Sequence, residues 1–166
     1  MGSRRIVVRI LGVASTTRGF AFALTEGPKR LVNWGLRRRS LSQAEVVNTL
    51  KSIVESSRPL FVAFEQEASE RKGHRGQRFG KMLAAACREH GVMIRSVESK
   101  CVKALAGSLL ASKWQVAEAV SKRFREIQHK LPKPRRAWQG EDDRIGSFLA
   151  LAAALTMWER MPIPSM

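Results

Sequence analysis

Acidic residues are scarce in this chain, and two groups of them stand where they could do chemistry. The 166 residues include 14 Asp and Glu against 30 Lys and Arg, for a net charge of +16. Glu65 directly follows the apolar run 60–64, and Glu141, Asp142 and Asp143 precede an Ala/Leu-rich segment. Carboxylates among basic patches suit a Mg²⁺-dependent phosphodiester enzyme, because Mg²⁺ prefers hard oxygen ligands and cations hold the backbone phosphates.

Each acidic group also has a simpler explanation. Glu65 can be a strand-end glutamate that turns into solvent, and the 141–143 group can be favourable negative charge at the start of a helix. We therefore treat Glu65, Asp142 and Asp143 as candidate catalytic residues and metal ligands, because the two groups occur together in so basic a chain.

The basic residues are clustered, and the sequence pI is about 11.3. Such an excess causes self-repulsion unless a polyanion binds, so nucleic acid is the predicted partner, and a solvated cationic surface is the alternative. No block combines cations with an opposite Trp or Phe face, so no membrane partner is expected. The candidate nucleic-acid contacts are Arg71, Lys72, Arg75, Arg78, Lys133, Arg135 and Arg136, with Trp138 as a base-stacking residue within the last basic stretch.

Hydrophobic patterning predicts the elements that position these residues. Three strands form an antiparallel meander, and strands and helices then alternate in the order βββαβαβα, which indicates an α/β mixed sheet with helices packed on it. Ligands gather at the C-terminal ends of parallel strands in such sheets, which is where Glu65 lies. The predicted strands are 6–13, 18–24, 31–35, 60–64 and 92–97, and the predicted helices are 40–58, 79–90, 102–110, 114–128 and 141–158.

Length and composition predict one domain over residues 6–158, with 1–5 as an N-terminal extension or expression remnant and 159–166 as a C-terminal tail. The longest apolar run, 148–158, is too short for the roughly 20 residues of a membrane span. The two cysteines, Cys87 and Cys101, are too few for a disulfide framework and are interpreted as reduced thiols, although a single bridge stays open. A cytoplasmic, nucleoid-associated location or its organelle equivalent is expected.

Several motifs resemble one family, the RuvC-type Holliday-junction resolvases of the ribonuclease H-like superfamily. Residues 10–22, ILGVASTTRGFAF, look like the opening hairpin of that family, and Ala63-Phe64-Glu65-Gln66 looks like its second acidic motif. Ser112-Lys113-x-x-Val116 is similar to the Lys-bearing start of its penultimate helix, and residues 141–143 look like the start of its final acidic helix. These motifs occur in the family's order across residues 5–158.

The resemblance implies a ribonuclease H-like fold and a crossover-junction endodeoxyribonuclease that acts in DNA recombination. It implies Mg²⁺ or Mn²⁺ as cofactor, branched DNA as substrate and a homodimer. It also implies nucleic-acid contacts at Arg18 and Lys113. The segment around 71–79 resembles the region that resolvases present to a junction, although we expect Phe79 to begin the buried face of its helix.

The chain departs from the family pattern at two places. Ala14 stands where the family has its first catalytic Asp, and a methyl group cannot ligate a metal. The final helix also lacks a second acid one or two turns on, since Gly146, Ser147 and Leu149 occupy the candidate positions. Either Ala14 is an engineered substitution or the chain is a natural protein that has lost catalysis.

Three functions follow from these patterns, and whether the chain is an enzyme stays open. The first is a RuvC-like, Mg²⁺-dependent endonuclease for branched DNA that is impaired by the loss at position 14. The second is a non-catalytic protein of the same fold that binds DNA or RNA, the latter within a ribonucleoprotein, and needs no cofactor. The third is a structural, ribosome-associated protein whose charge matches RNA.

Overall fold

The computed structural model describes residues 7–16, 19–38, 42–66, 73–134, 136 and 143–161. Its centre is a five-stranded sheet with strand order β3-β2-β1-β4-β5. The first three strands are antiparallel neighbours, β4 is parallel to β1, and β5 is parallel to β4. The strands are β1 Ile10–Thr16, β2 Gly19–Thr25, β3 Leu31–Arg38, β4 Phe61–Gln66 and β5 Met93–Glu98. The predicted α/β mixed sheet is confirmed.

The helices follow the predicted order, with different boundaries. The predicted helix over 114–128 is two helices, since the chain leaves the first after Ser121 and re-enters a short one at Arg125. The last helix begins at Ile145 rather than 141 and ends at Arg160, two residues beyond the predicted domain boundary. The helices are α1 Gln43–Ser57, α2 Gly73–Cys87, α3 Ser99–Ala104, α4 Lys113–Ser121, α5 Arg125–Gln128 and α6 Ile145–Arg160.

Each face of the sheet carries its own core, because side chains alternate along the strands. On one face, Ile10 of β1 and Ala63 of β4 pack with α3, α4 and α6, and we call this the α6 face. On the other face, Leu11 and Val13 of β1 pack with Phe20, α1 and α2, and we call this the α2 face. Phe79 lies in the second core at 5% exposure, as expected for the start of a buried helix face.

Helix α6 crosses the sheet at very short range. A β-carbon at Gly12 of β1 would lie 1.8 Å from the carbonyl oxygen of Ala150, and one at Gly146 would lie 2.7 Å from Cγ2 of Thr16. Residues 145–156 of α6 are buried except Leu149, which is half-buried, so α6 is the central helix of its face. This close crossing sets what can occupy the space between α6 and the end of β1.

Trp34, Trp114 and Trp158 pack against the α6-face core. The indole Nε1 of Trp114 donates to the carbonyl oxygen of Pro132 at 2.9 Å, and that of Trp158 donates to Oγ1 of Thr25 at 2.8 Å. Both cysteines are free, and burial raises the pKa of the Cys87 thiol. No helix in the described ranges is long and apolar enough to cross a membrane.

Candidate functional site

The register between β1 and β4 places Ala14 and Glu65 on the same face of the sheet. Gly12 pairs with Ala63 and Val13 pairs with Phe64, and the next residue on each strand is Ala14 and Glu65. Gly12 and Ala63 face α6, so the two-residue alternation of strands directs Ala14 and Glu65 to that face as well. Both are half-buried, at the C-terminal ends of their parallel strands.

The start of α6 lies over the same end of the sheet. The nearest atoms to a β-carbon at Gly146 would be Cγ2 of Thr16 and, at 3.0 Å, Cβ of Ala21, which pairs with Ala14. The N–H of Gly146 donates to the carbonyl oxygen of Asp143 at 2.9 Å, so half-buried Asp143 occupies the turn that leads onto this end. We call Ala14, Thr16, Glu65, Asp143 and Gly146 the sheet-end site.

The predicted position of the 141–143 acids on the last helix is wrong for the residue that the structure describes. Asp143 precedes α6 rather than lying in its first turn, because the helix begins only at Ile145 and Arg144 is its N-cap. Glu141 and Asp142 lie outside the described residues. Of the predicted ligands, the structure therefore places Glu65 and Asp143 at the sheet-end site.

These side chains do not make up a two-ion centre of the kind that many nucleases use. Within the described ranges, no group of three or more His, Cys, Asp or Glu side chains could hold a metal ion. Position 14 offers a methyl group, and position 146 has no space for a side chain, since Thr16 and Ala21 already fill it. Two ions at roughly 3.5–4 Å need carboxylates between them, and neither position supplies one.

The other two candidate positions for an acid on α6 also make contacts within the fold. Oγ of Ser147 donates to the carbonyl oxygen of Gly35 at 3.2 Å, and its side chain faces β3. Leu149 packs against the α6-face core. Gly146, Ser147 and Leu149 therefore contribute no acid and instead pack on the sheet or against the core.

Thr16 is the site residue that sequence reasoning missed. In the structure its Oγ1 is buried with no hydrogen-bond partner, while its methyl group meets α6 at Gly146. The sequence signal was the glycine at 146, which permits this contact but cannot reveal its partner.

Arg78 lies on the opposite face from Glu65. It is exposed on α2, where it lines a groove of about 420 Å³ between α1 and α2 together with Lys81, Val47 and Gln43. Helix α2 packs on the α2 face of the sheet, so this cation does not share the face of the sheet-end site. Arg75 belongs to the first turn of α2, and Arg71 and Lys72 lie outside the described residues.

A second group of cations lies on the α6 face, around the start of α4. Lys113 is the first residue of α4, and Lys133 and Arg136 lie on the loop after α5; all three are exposed. The bond from Trp114 to Pro132 holds that loop against α4, and Lys113 and Lys133 are each the chain neighbour of one of the two bonded residues. We call Lys113 and Lys133 the α4 basic edge. Arg18, Arg135 and Trp138 lie outside the described residues.

Solved structures share this architecture across most of the chain. Thermus thermophilus RuvC aligns with a TM-score of 0.62 and 24% identity, over 90% of this chain and 92% of that one. T. thermophilus RuvC in complex with Holliday junction substrate aligns with a TM-score of 0.59 and 21% identity, over 90% and 91%. The yeast mitochondrial Holliday junction resolvase Ydc2 aligns with a TM-score of 0.58 and 16% identity, over 92% and 79%.

No protein-family model matches the chain, and no curated protein matches it either. The structural likeness, at identities of 24% and below, establishes the fold: this chain has the RuvC-like, ribonuclease H-like α/β fold that its motifs indicated.

Proposed function

We propose that this protein is a RuvC-like nucleic-acid-binding protein that prefers branched DNA. The observation that carries the proposal is the likeness to a RuvC bound to Holliday junction substrate over 90% of the chain. The net charge of +16 and the exposed cations on both faces of the sheet support a polyanionic partner. A protein that acts on DNA would be located at the nucleoid, either in the cytoplasm or in an organelle.

We infer further that the chain is impaired in catalysis. Ala14 removes one carboxylate, and the crossing of α6 over Thr16 and Ala21 leaves no room for another at Gly146. The missing acid at Gly146 follows from how α6 packs on the sheet. A single engineered substitution at position 14 would not explain it, so natural loss of catalysis is favoured. Mg²⁺ or Mn²⁺ would be required only if Glu65 and the acids of 141–143 still supported cleavage.

The homodimer is part of the same proposal. A four-way junction is close to two-fold symmetric, and a protein with one site per chain engages it symmetrically as a C₂ dimer. Sedimentation of the protein with and without junction DNA tests this, and one bound monomer per junction at saturation contradicts it.

The decisive experiment measures affinity and cleavage separately. Anisotropy titrations in EDTA compare a four-way DNA junction, a linear DNA duplex of equal length and an RNA duplex. We expect the junction to bind at least about tenfold more tightly than either duplex, a difference of about 1.4 kcal/mol. With Mg²⁺ or Mn²⁺ added, we expect almost no cleavage.

The controls separate the alternatives. Tightest binding to RNA supports a ribonucleoprotein or ribosomal role and removes the DNA proposal. Metal-dependent cutting that Glu65→Gln abolishes removes the proposed impairment. Lys113→Ala and Lys133→Ala should each weaken binding, whereas Lys29→Ala, an exposed lysine in the turn at the other end of the sheet, should not.

A further inference from the structure

Two adjacent leucines project from the surface beside the α4 basic edge. Leu109 is 63% exposed and Leu110 is 92% exposed, the highest value among the large hydrophobic side chains of the described ranges. Single exposed apolar side chains are ordinary, but a neighbouring pair on one loop is a small apolar patch. The loop that carries this pair, residues 105–112, joins α3 to α4.

The loop is anchored on both sides of the pair. Leu105 and Ala106 pack against the α6-face core before it, and Ala111 is buried in that core after it. The same core includes Ile10 and Ala63 and packs against Ala14, so the loop belongs to the face that carries the sheet-end site. The leucines are therefore exposed on a loop that packs against the core on both sides of them.

Hydrogen bonds fix the turn itself. The N–H of Leu110 donates to Oγ of Ser108 at 3.1 Å, and the N–H of Ala111 donates to the carbonyl oxygen of Ser108 at 3.2 Å. Gly107 supplies the left-handed backbone angle, φ = 79°, that begins the turn. A capping box between Ser112 and Gln115 then starts α4. The tip is thus preorganised before any partner binds.

Positive charge borders the tip. Lys113 follows Leu110 by three residues, a span of at most about 11 Å. The Trp114–Pro132 bond adds Lys133 to the same neighbourhood. Cations beside an exposed apolar tip match a ligand that has phosphates outside and apolar base faces inside.

We propose that Leu109 and Leu110 form an apolar wedge that inserts between bases at the branch point of a nucleic acid, while Lys113 and Lys133 contact the flanking phosphates. The inference rests on the proposed function and names the element that selects branched ligands. Leucine is among the side chains that part base steps, and a branch point has already lost part of its stacking, so insertion there needs less energy than in a continuous duplex.

The size and surroundings of the tip favour this ligand over others. Two leucines are far short of the roughly 800 Å² that each partner buries in a standard protein interface. An interfacial membrane helix uses an extended apolar face rather than a two-residue tip. Phe79, in the region that resembles the junction-facing part of resolvases, is only 5% exposed and cannot serve as the wedge.

The test uses a four-way DNA junction with 2-aminopurine at the branch point, and a linear duplex carrying the same label. Binding of the unmodified protein should raise the junction's fluorescence, because the labelled base unstacks. The double variant Leu109→Ser/Leu110→Ser should lose this rise and bind the junction about tenfold or more weakly, since burying a leucine is worth that much. Its affinity for the duplex should stay within about twofold, because the lysines remain.

Matched variants make the result specific. Leu60→Ser removes a leucine that is 43% exposed at the start of β4, the opposite end of that strand from Glu65, and should change neither signal. Leu110→Phe should keep the fluorescence rise, because a larger apolar side chain still parts the bases. Circular dichroism melting of each variant checks that the fold is intact.

Each outcome decides something. Absence of binding to every nucleic acid removes the proposed function, and the wedge with it. Binding of the double variant with unchanged junction affinity and fluorescence removes the wedge alone. Loss of affinity for phosphatidylserine vesicles in the double variant, with junction binding unchanged, assigns the leucines to a membrane surface instead.

Discussion

The methyl group of Ala14 lies on the α6 face of β1, and the register between β1 and β4 places Glu65 beside it. The sequence predicted the two strands that carry this pair, and the role of Ala14 and Glu65 in a catalytic site stays a prediction. The sequence could not show that Gly146 lacks space, since the contact with Thr16 joins residues 130 positions apart in the chain.

Replacing Ala14 with Asp is the direct test of how much of the site is lost. We expect Ala14→Asp to leave Mg²⁺-dependent junction cleavage near background, because Gly146 still contributes no ligand. Binding in EDTA should weaken slightly, since the new carboxylate repels phosphates. Ala14→Asn is the uncharged control and should bind as the unmodified protein does. Cleavage restored by orders of magnitude would mean that Ala14 was the one missing ligand and that the engineered explanation holds.

The crowding at Gly146 makes a prediction about stability. Gly→Ala in a helix normally gains about 1 kcal/mol, but a β-carbon here would lie 2.7 Å from Thr16 Cγ2. We expect Gly146→Ala to lower the free energy of unfolding by about 1–3 kcal/mol, the usual effect of overpacking. Gly80→Ala on α2 meets nothing within 4 Å and should raise it by up to about 1 kcal/mol. Urea denaturation measures both, and equal stabilisation would contradict the close crossing.

Among the elements, hydrophobic periodicity predicted which residues are buried, but it did not predict where a helix is interrupted. Val116, Val120, Phe124 and Ile127 all lie in the α6-face core, as their helical spacing indicates. The helix between them is nevertheless interrupted, because the chain tightens into turns with bonds from Arg123 to Val120 and from Phe124 to Ser121. Hydrophobic spacing reports which residues face the core, and it does not report whether each backbone bond between them is helical.

The start of α6 shows the same limit. Acids at 141–143 resemble a first helical turn by charge, yet the helix begins at Ile145, where apolar packing on the sheet begins. The start of α1 carries a local signal, because Ser42 caps it with its Oγ accepting from the N–H of Glu45 at 3.2 Å, although the predicted start at 40 lies three residues before Gln43. A boundary set by a side-chain cap can be read from sequence, whereas one set by tertiary packing cannot.

The contact between β1 and α6 depends on one glycine. A β-carbon at Gly12 would lie 1.8 Å from the carbonyl oxygen of Ala150, a backbone atom that cannot turn away. We expect Gly12→Ala to cost more than about 3 kcal/mol, well above a typical substitution. The urea midpoint of Gly12→Ala should fall below that of Gly146→Ala, where the obstacle is a side-chain methyl. The reverse order would mean that α6 does not approach the backbone of β1 this closely.

For the whole molecule, the described basic residues divide between the two faces of the sheet. Only a short segment of the sequence separates Arg78 from Glu65. Packing instead puts Arg78 and Lys81 in the α1–α2 groove, while Lys113 and Lys133 share the α6 face with Glu65. Charge clusters were visible in the sequence, but their faces depend on which helix packs on which side.

This distribution gives salt dependence a diagnostic value. If about six phosphates are neutralised, log K should fall against log[salt] with a slope of about −5 on B-DNA. Lys113→Ala/Lys133→Ala should reduce the magnitude of that slope by about 2, since each phosphate contact releases close to one counterion. Arg78→Ala/Lys81→Ala removes the same charge from the other face, and an equal reduction means that the DNA also reaches the α2 face. An unchanged slope confines binding to the α6 face, where the sheet-end site and the leucine tip lie.

A flat titration of the unmodified protein rules out phosphate contacts as the source of affinity and so contradicts nucleic-acid binding itself.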